Sequence, residues 1–177
     1  MENDLWEQAV AFHGHSCPGL AIGFAASLAA SQLLHFSLPA ATLDEDLVCV
    51  TENDACGVDA VQVLTGCTLG KGNLIYRGTG KMAFSFFNRK NGESVRLYLK
   101  PSPRPMERDE RQAYLLNTPP LTLFQCSKPS FPLPERARLF STIPCEACGE
   151  GAPEYKMRLV DGKKVCLDCF QDYSRGW

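Results

Sequence analysis

Two pairs of cysteines constrain what the end of this chain can become. Cys145 and Cys148 have two residues between them, as do Cys166 and Cys169, and seventeen residues separate the pairs. This is the spacing of a four-cysteine zinc site. Two residues between cysteines allow a tight knuckle that turns both sulfurs to one side. Two knuckles complete a tetrahedron, with sulfur about 2.3 Å from the metal. Protein then fills all four positions and none is open to a substrate, so a zinc ion here is structural. Iron in the same geometry is the rarer alternative, because shape alone does not choose the metal.

The sequence between the pairs agrees. Residues 155–160 and 163–165 are expected to pair across Asp161-Gly162, favoured hairpin chemistry, and residues 167–173 read as a helix. Knuckle, hairpin and helix together predict a treble-clef-like finger over residues 136–177. Residues 144–177 carry five basic and six acidic side chains, and four thiolates add more negative charge. No basic patch stands out, so nucleic acid is not an expected partner.

Five prolines (Pro119, Pro120, Pro129, Pro132 and Pro134) precede the finger. Such composition predicts a linker or extended arm rather than a packed element. The chain therefore reads as a core domain over 1–118, a linker over 119–135 and the finger. Its 177 residues are 45% hydrophobic and 21% charged, which is globular composition. Nine cysteines, an odd number, argue against a closed disulfide framework, and the start Met1-Glu2-Asn3-Asp4 lacks the basic region of a signal peptide. The expectation is a reducing cytoplasm, where clustered cysteines bind metal or do redox chemistry. Residues 19–36 are nearly uncharged but rich in Ala, Gly and Ser. A spanning helix needs about 20 strongly apolar residues, so a buried helix is expected here and no membrane segment. Residues 1–70 hold nine acidic and no basic side chains, whereas residues 71–111 hold ten basic against four acidic. The two segments are expected to pack together or against a second protomer.

Residues 4–12 predict a short amphipathic helix, and Pro18 suits the first turn of a long one reaching about residue 36. Residues 47–51 are β-branched and apolar, a buried strand. Asp54 is expected to cap a helix over about 55–64. Residues 66–73 form a glycine-rich turn before a strand at 74–77. Residues 81–87 and 95–99 alternate and are expected to form a hairpin through Asn91-Gly92. A helix is predicted over 108–116. These elements make an α+β core with buried helices and a small sheet.

His13, His15 and Cys17 lie within five residues. In an extended segment, alternate spacing would put all three on one side. Imidazole and thiolate together suit zinc, nickel, copper or iron. Cys17 starts the long helix, whose dipole favours a thiolate by roughly 0.3–1 kcal/mol. Cys56 stands in the same relation to the next helix. If the two helices lie side by side, His13, His15, Cys17 and Cys56 converge as ligands. Asp54 and Asp59 are reserve candidates and Cys67 a weaker one. Cys49 reads as core, Cys126 has no assigned role, and His35 reads as the end of the buried helix.

Three segments carry a family resemblance. They are Phe12-His13-Gly14-His15-Ser16-Cys17-Pro18-Gly19, then residues 53–62 (NDACGVDAVQ), then residues 66–74 (GCTLGKGNL). Together they resemble the formylmethanofuran dehydrogenase E-subunit family, over roughly residues 5–100, and the finger is similar to an appendage that some members carry. The resemblance implies a dimeric α+β core with a metal near the His/Cys motif. It also implies association with a molybdenum or tungsten dehydrogenase. The expected function is thus a methanogenesis-related accessory or redox component holding a second transition metal, with zinc, nickel or iron as candidates. One alternative is a stand-alone metal-dependent enzyme. In it His15 is general base or ligand, and Cys17 is ligand or nucleophile. The other is a metal-sensing regulator that contacts partners through the finger.

Overall fold

The computed structural model describes residues 2–40, 46–173 and 175. The chain divides into two compact units, residues 1–137 and 138–177.

The first unit runs α1 (Glu2–His13), α2 (Pro18–Leu34), β1 (Leu47–Thr51), α3 (Gly57–Thr65), β2 (Leu74–Tyr76), β3 (Ala83–Asn88), β4 (Ser94–Leu99), α4 (Arg108–Asn117), α5 (Pro120–Leu123) and β5 (Phe124–Ser127). The strands form one sheet in the order β2-β1-β3-β4-β5. β1 and β2 are parallel and joined through α3, as a parallel pair requires a crossover. The other pairings are antiparallel. Alternation sorts the side chains as expected. Phe84, Phe86 and Leu97 share a core cluster with Ala21, Ala25 and Ala29 of α2, while Val48, Val50 and Phe87 form a separate cluster. α2 is apolar or small nearly all round, which suits a helix buried on most sides. It ends two residues before the expected limit, where His35 turns into the left-handed region at φ 55° and its N–H bonds the Ser31 carbonyl.

Three glycines let α2 meet α3 backbone to backbone. A Cβ on Gly23 would sit 1.8 Å from the Gly57 carbonyl oxygen, and one on Gly57 would sit 2.9 Å from that of Gly19. No side chain fits there, so the two helix starts are drawn together.

The structure corrects two expectations in this unit. α3 starts at Gly57, and Cys56 rather than Asp54 holds its N-cap position, without a side-chain hydrogen bond. The turn is made instead by Asn53, whose Oδ1 accepts the Ala55 N–H at 3.2 Å. Second, residues 119–135 are not a free linker. Pro120 opens the first turn of α5, where its missing N–H costs nothing. The proline-free stretch Phe124–Ser127 then pairs with β4. Farther on, Phe131 packs on Phe87 with ring centroids 5.9 Å apart, and the Arg77 guanidinium lies 4.6 Å from the Phe131 ring. Arg89 Nη2 donates to the Pro134 carbonyl at 2.7 Å. Proline makes this arm extended, but its aromatic and carbonyl groups still dock. Acidic and basic segments do meet. Arg96 pairs with buried Glu52 at 2.6 Å, and Lys90 with Asp46 at 3.0 Å. Among the described residues no helix is long and apolar enough to cross a membrane.

The second unit is two small hairpins. β6 (Thr142–Pro144) pairs with β7 (Gly151–Pro153) around the first cysteine pair. After a single 3-10 turn, β8 (Arg158–Val160) pairs with β9 (Lys163–Val165) across Asp161 and Gly162, both at positive φ. The helix expected over 167–173 is absent. Residues 167–169 are a turn, with the N–H groups of Cys169 and Phe170 both bonding the Cys166 carbonyl, and residues 170–173 are irregular. The knuckle uses the backbone that a helix would need, and the sequence beyond it offers little apolar surface to bury.

Replacing Gly23 with Ala should destabilise the first unit by about 3 kcal/mol or more, because the added methyl must displace backbone. Gly70→Ala, where a Cβ meets nothing within 4 Å, should be near neutral. Urea unfolding of the two variants checks this.

Candidate metal centre

Two groups of ligand-type side chains come together among the described residues. One is Cys145, Cys148, Cys166 and Cys169; the other is His13, Cys17 and Cys56. In each, one donor atom per residue lies within 4.8 Å of all the others.

In the finger, the sulfurs of Cys148 and Cys166 are 3.9 Å apart. The edge of a zinc–thiolate tetrahedron is about 3.8 Å, so the spacing fits the ion. Cys145 is the most sheltered donor. Its sulfur accepts N–H bonds from Ala147 at 3.4 Å and Cys166 at 3.3 Å. Backbone N–H groups, chiefly those of Cys148 and Cys166, lower its thiol to about 6. Cys169 is raised, first by its contact with Cys166 and then by Cys148 and Cys145. Four thiols held this closely resist ionising together, and a divalent cation removes that resistance.

The core group is built from three element ends. α1 runs on through His13, and the Gly14 N–H bonds the Val10 carbonyl at 2.8 Å before Gly14 turns the chain at φ 88°. Cys17 is the N-cap of α2, and its sulfur accepts the Leu20 N–H at 3.3 Å. Cys56 is the N-cap of α3. Gly19 leaves the gap between them: a Cβ there would lie 3.5 Å from the Cys56 sulfur and 3.7 Å from that of Cys17. His13 Nδ1 is 2.7 Å from Asp59 Oδ2, and its Nε2 is 3.9 Å from the Cys17 sulfur. With Nδ1–H donating to Asp59, Nε2 presents its lone pair to the two sulfurs. A carboxylate behind an imidazole in this way is the arrangement that orients histidines on metals. Gln62 Nε2 donates to the other Asp59 oxygen at 3.4 Å. Burial, then the hydrogen bond to Cys17, raises the Cys56 thiol.

Two thiols and one imidazole nitrogen are soft to borderline donors that fit zinc, nickel or iron. Three protein ligands leave one position of a tetrahedron open. That position has space beside it. A cleft of about 410 Å³ is lined by His13, Cys56 and Asp59 on one side and by Leu69, Leu74 and Tyr76 on another. Thr51 and Tyr76, the last residues of β1 and β2, also line it, so it lies at the carboxyl ends of the parallel pair. Such crevices are the usual ligand sites of α/β sheets.

The other sequence candidates lie elsewhere. The segment from 13 to 17 is not extended, because His13 is still helical. His15 is exposed and outside the group, its ring 4.4 Å from that of His13. Asp54 lines the cleft but does not join the donors, and Asp59 meets His13 instead. Buried Cys67 donates to the Leu47 carbonyl at 3.4 Å, and burial raises its thiol to about 11. Cys49 is wholly buried in β1, and Cys126 is exposed on the edge strand β5. Sequence reasoning missed the glycines that space the site and the cleft residues Gln62, Leu69 and Tyr76. The Gly19-x-x-x-Gly23 spacing was a signal for close helix approach.

Comparison with known proteins agrees with this division. A family model described as "FmdE, Molybdenum formylmethanofuran dehydrogenase operon" matches residues 12–122, and one for the prokaryotic dksA/traR C4-type zinc finger matches residues 138–175. A curated relative from Archaeoglobus fulgidus, named a probable S-adenosyl-L-methionine-binding protein, is 31% identical over 94% of this chain and 52% of its own length. The chain thus spans about half the length of the curated relative it matches. A crystal structure of an FmdE-like protein of tungsten formylmethanofuran dehydrogenase, from Syntrophus aciditrophicus, superposes with a TM-score of 0.68 at 25% identity. It covers 95% of this chain and 91% of the other. The first unit carries the family match, and the second carries the four cysteines of the zinc finger. The chain is a metal-binding member of the FmdE family that bears a C4 zinc finger.

Proposed function

We infer that this protein holds two metals per chain: a structural zinc in the finger, and a transition metal on His13, Cys17 and Cys56 with one position left for an exogenous ligand. The observation that carries the reading is the convergence of those three donors, with Asp59 behind the imidazole. When bound, the core metal would supply a Lewis-acid or redox centre facing the cleft. The protein's part is to orient His13 through Asp59, to hold two sulfurs at helix starts and to shield Cys17. His15, exposed beside His13, is in place to exchange protons at the site rather than to ligate.

In the family context, an accessory or redox component that associates with a molybdenum or tungsten dehydrogenase is the physiological role we favour, with the chain acting as a homodimer in a reducing cytoplasm. Exposed Phe12, Leu69 and Tyr76 support a protein contact near the cleft. A second reading, binding of S-adenosyl-L-methionine, has support from the relative's name and from the size of the cleft. Equilibrium dialysis with that compound tests it.

Elemental analysis should find two metals per chain. Cys17→Ser or Cys56→Ser should leave one, and Cys148→Ser should remove the other. Retention of both metals by the Cys17 and Cys56 variants would refute the core site. Asp59→Asn should weaken the core metal about 10–100-fold and leave the finger alone, measured by competition with a chelator. Core affinity should also fall as pH drops. The Cys56 thiol is raised, so it is protonated at neutral pH and must release its proton to the solvent on binding. Calorimetry in two buffers of different ionisation enthalpy reads that release.

A further inference from the structure

The charged groups around the cleft define what it can accept. Its carboxylates are Asp54 and Asp59, no Lys or Arg lines it, and two thiols stand at its metal side or just behind. Asp59 is engaged by His13 and Gln62. Nearby Glu52 is engaged by Arg96 and Thr79. Asn53 also lines the cleft, but its amide is committed to Lys81 and Ala55. Asp54 differs: among the described residues nothing hydrogen-bonds or ion-pairs with its carboxylate. Between Asp54 and the far wall lie Val58, Leu69, Leu74 and Tyr76. A volume of about 410 Å³ suits a small organic molecule rather than an ion with its water shell.

We propose that the cleft selects a small organic cation: an amine or similar positive group paired with Asp54, an apolar middle against Leu69, Leu74 and Tyr76, and a soft donor that completes the core metal. It rejects molecules that end in a carboxylate or phosphate. This rests on the reading that His13, Cys17 and Cys56 bind a metal, and the test separates the two.

The probes are three thiols on the same two-carbon spacer: cysteamine, 2-mercaptoethanol and 3-mercaptopropionate, cationic, neutral and anionic. Each is titrated into the cobalt-loaded full chain while the sulfur-to-cobalt absorption band is followed, with Cys17→Ser as the blank for the finger. Cysteamine should bind tightest and 3-mercaptopropionate weakest. In Asp54→Asn the cysteamine preference over 2-mercaptoethanol should fall about fivefold, the yield of a partly exposed ion pair. The affinity for 2-mercaptoethanol should stay unchanged, which also shows that the variant is folded, and Asp54→Glu should restore the preference. Comparing each thiol with itself across variants removes the effect of their different ionisation. Equal binding of the three thiols, or a preference that survives Asp54→Asn, overturns the proposal. So does a cobalt-loaded core whose spectrum no thiol alters, with the metal reading left standing. A chain that takes up only one cobalt overturns the metal reading and the proposal with it.

Discussion

The contact of α2 with α3 decides where the chemistry of this protein can occur. Both helices begin with a cysteine, and a cysteine at a helix start is useful only if its neighbour is within the reach of one ion. The carbonyl of Gly57 occupies the space that any side chain at position 23 would need. Gly57 and Gly19 repeat the same close approach one turn away. The interaxial gap is therefore set by backbone, the least deformable part of a helix. The distance between the Cys17 and Cys56 sulfurs inherits that rigidity. A site held this way meets a metal with little rearrangement, which is how a protein preserves an incomplete coordination shell.

The third donor is held by different means. His13 comes from α1, and what fixes its ring is the carboxylate of Asp59 on α3. One helix thus supplies both a ligand and the group that aims another ligand. The buried pair Glu52–Arg96 sits at the end of the strand that leads into α3. It anchors the turn from which Cys56 projects. Half-buried and exposed acidic groups around the cleft remain without a basic counterpart from the same stretch of chain. That imbalance, set against the positive charge a metal brings, gives the site its selectivity.

The two metal groups were legible in the sequence to different depths. The finger's ligands follow from spacing, because a knuckle is a local structure and both knuckles are written in a few residues each. The helix after the second knuckle was not legible, since apolar and aromatic residues at 167–173 serve a turn as well as a helical face. In the core, His13, Cys17 and Cys56 were identifiable as donors. His15 was grouped with them on an assumption of extended chain, and α1 reaching one residue farther undid that geometry. Asp59 was visible as an acidic residue near Cys56, but its partner lies 46 positions away. The proline-rich arm misled for a related reason: proline predicts what a backbone cannot do, and says nothing of where its neighbours Phe124 and Phe131 find cover.

Periodicity, spacing and side-chain chemistry act over a few residues. From them alone follow the element types, the α+β character of the core, the four finger ligands and the kinds of donor available near the N-terminus. Folding in three dimensions was needed to establish that three donors rather than four meet and that Asp59 orients the histidine. It was needed as well to set Asp54 in a cleft without a partner and to return the arm to the sheet. Each of those is a distance between residues far apart in the chain, and such distances are fixed by how closely two backbones can approach.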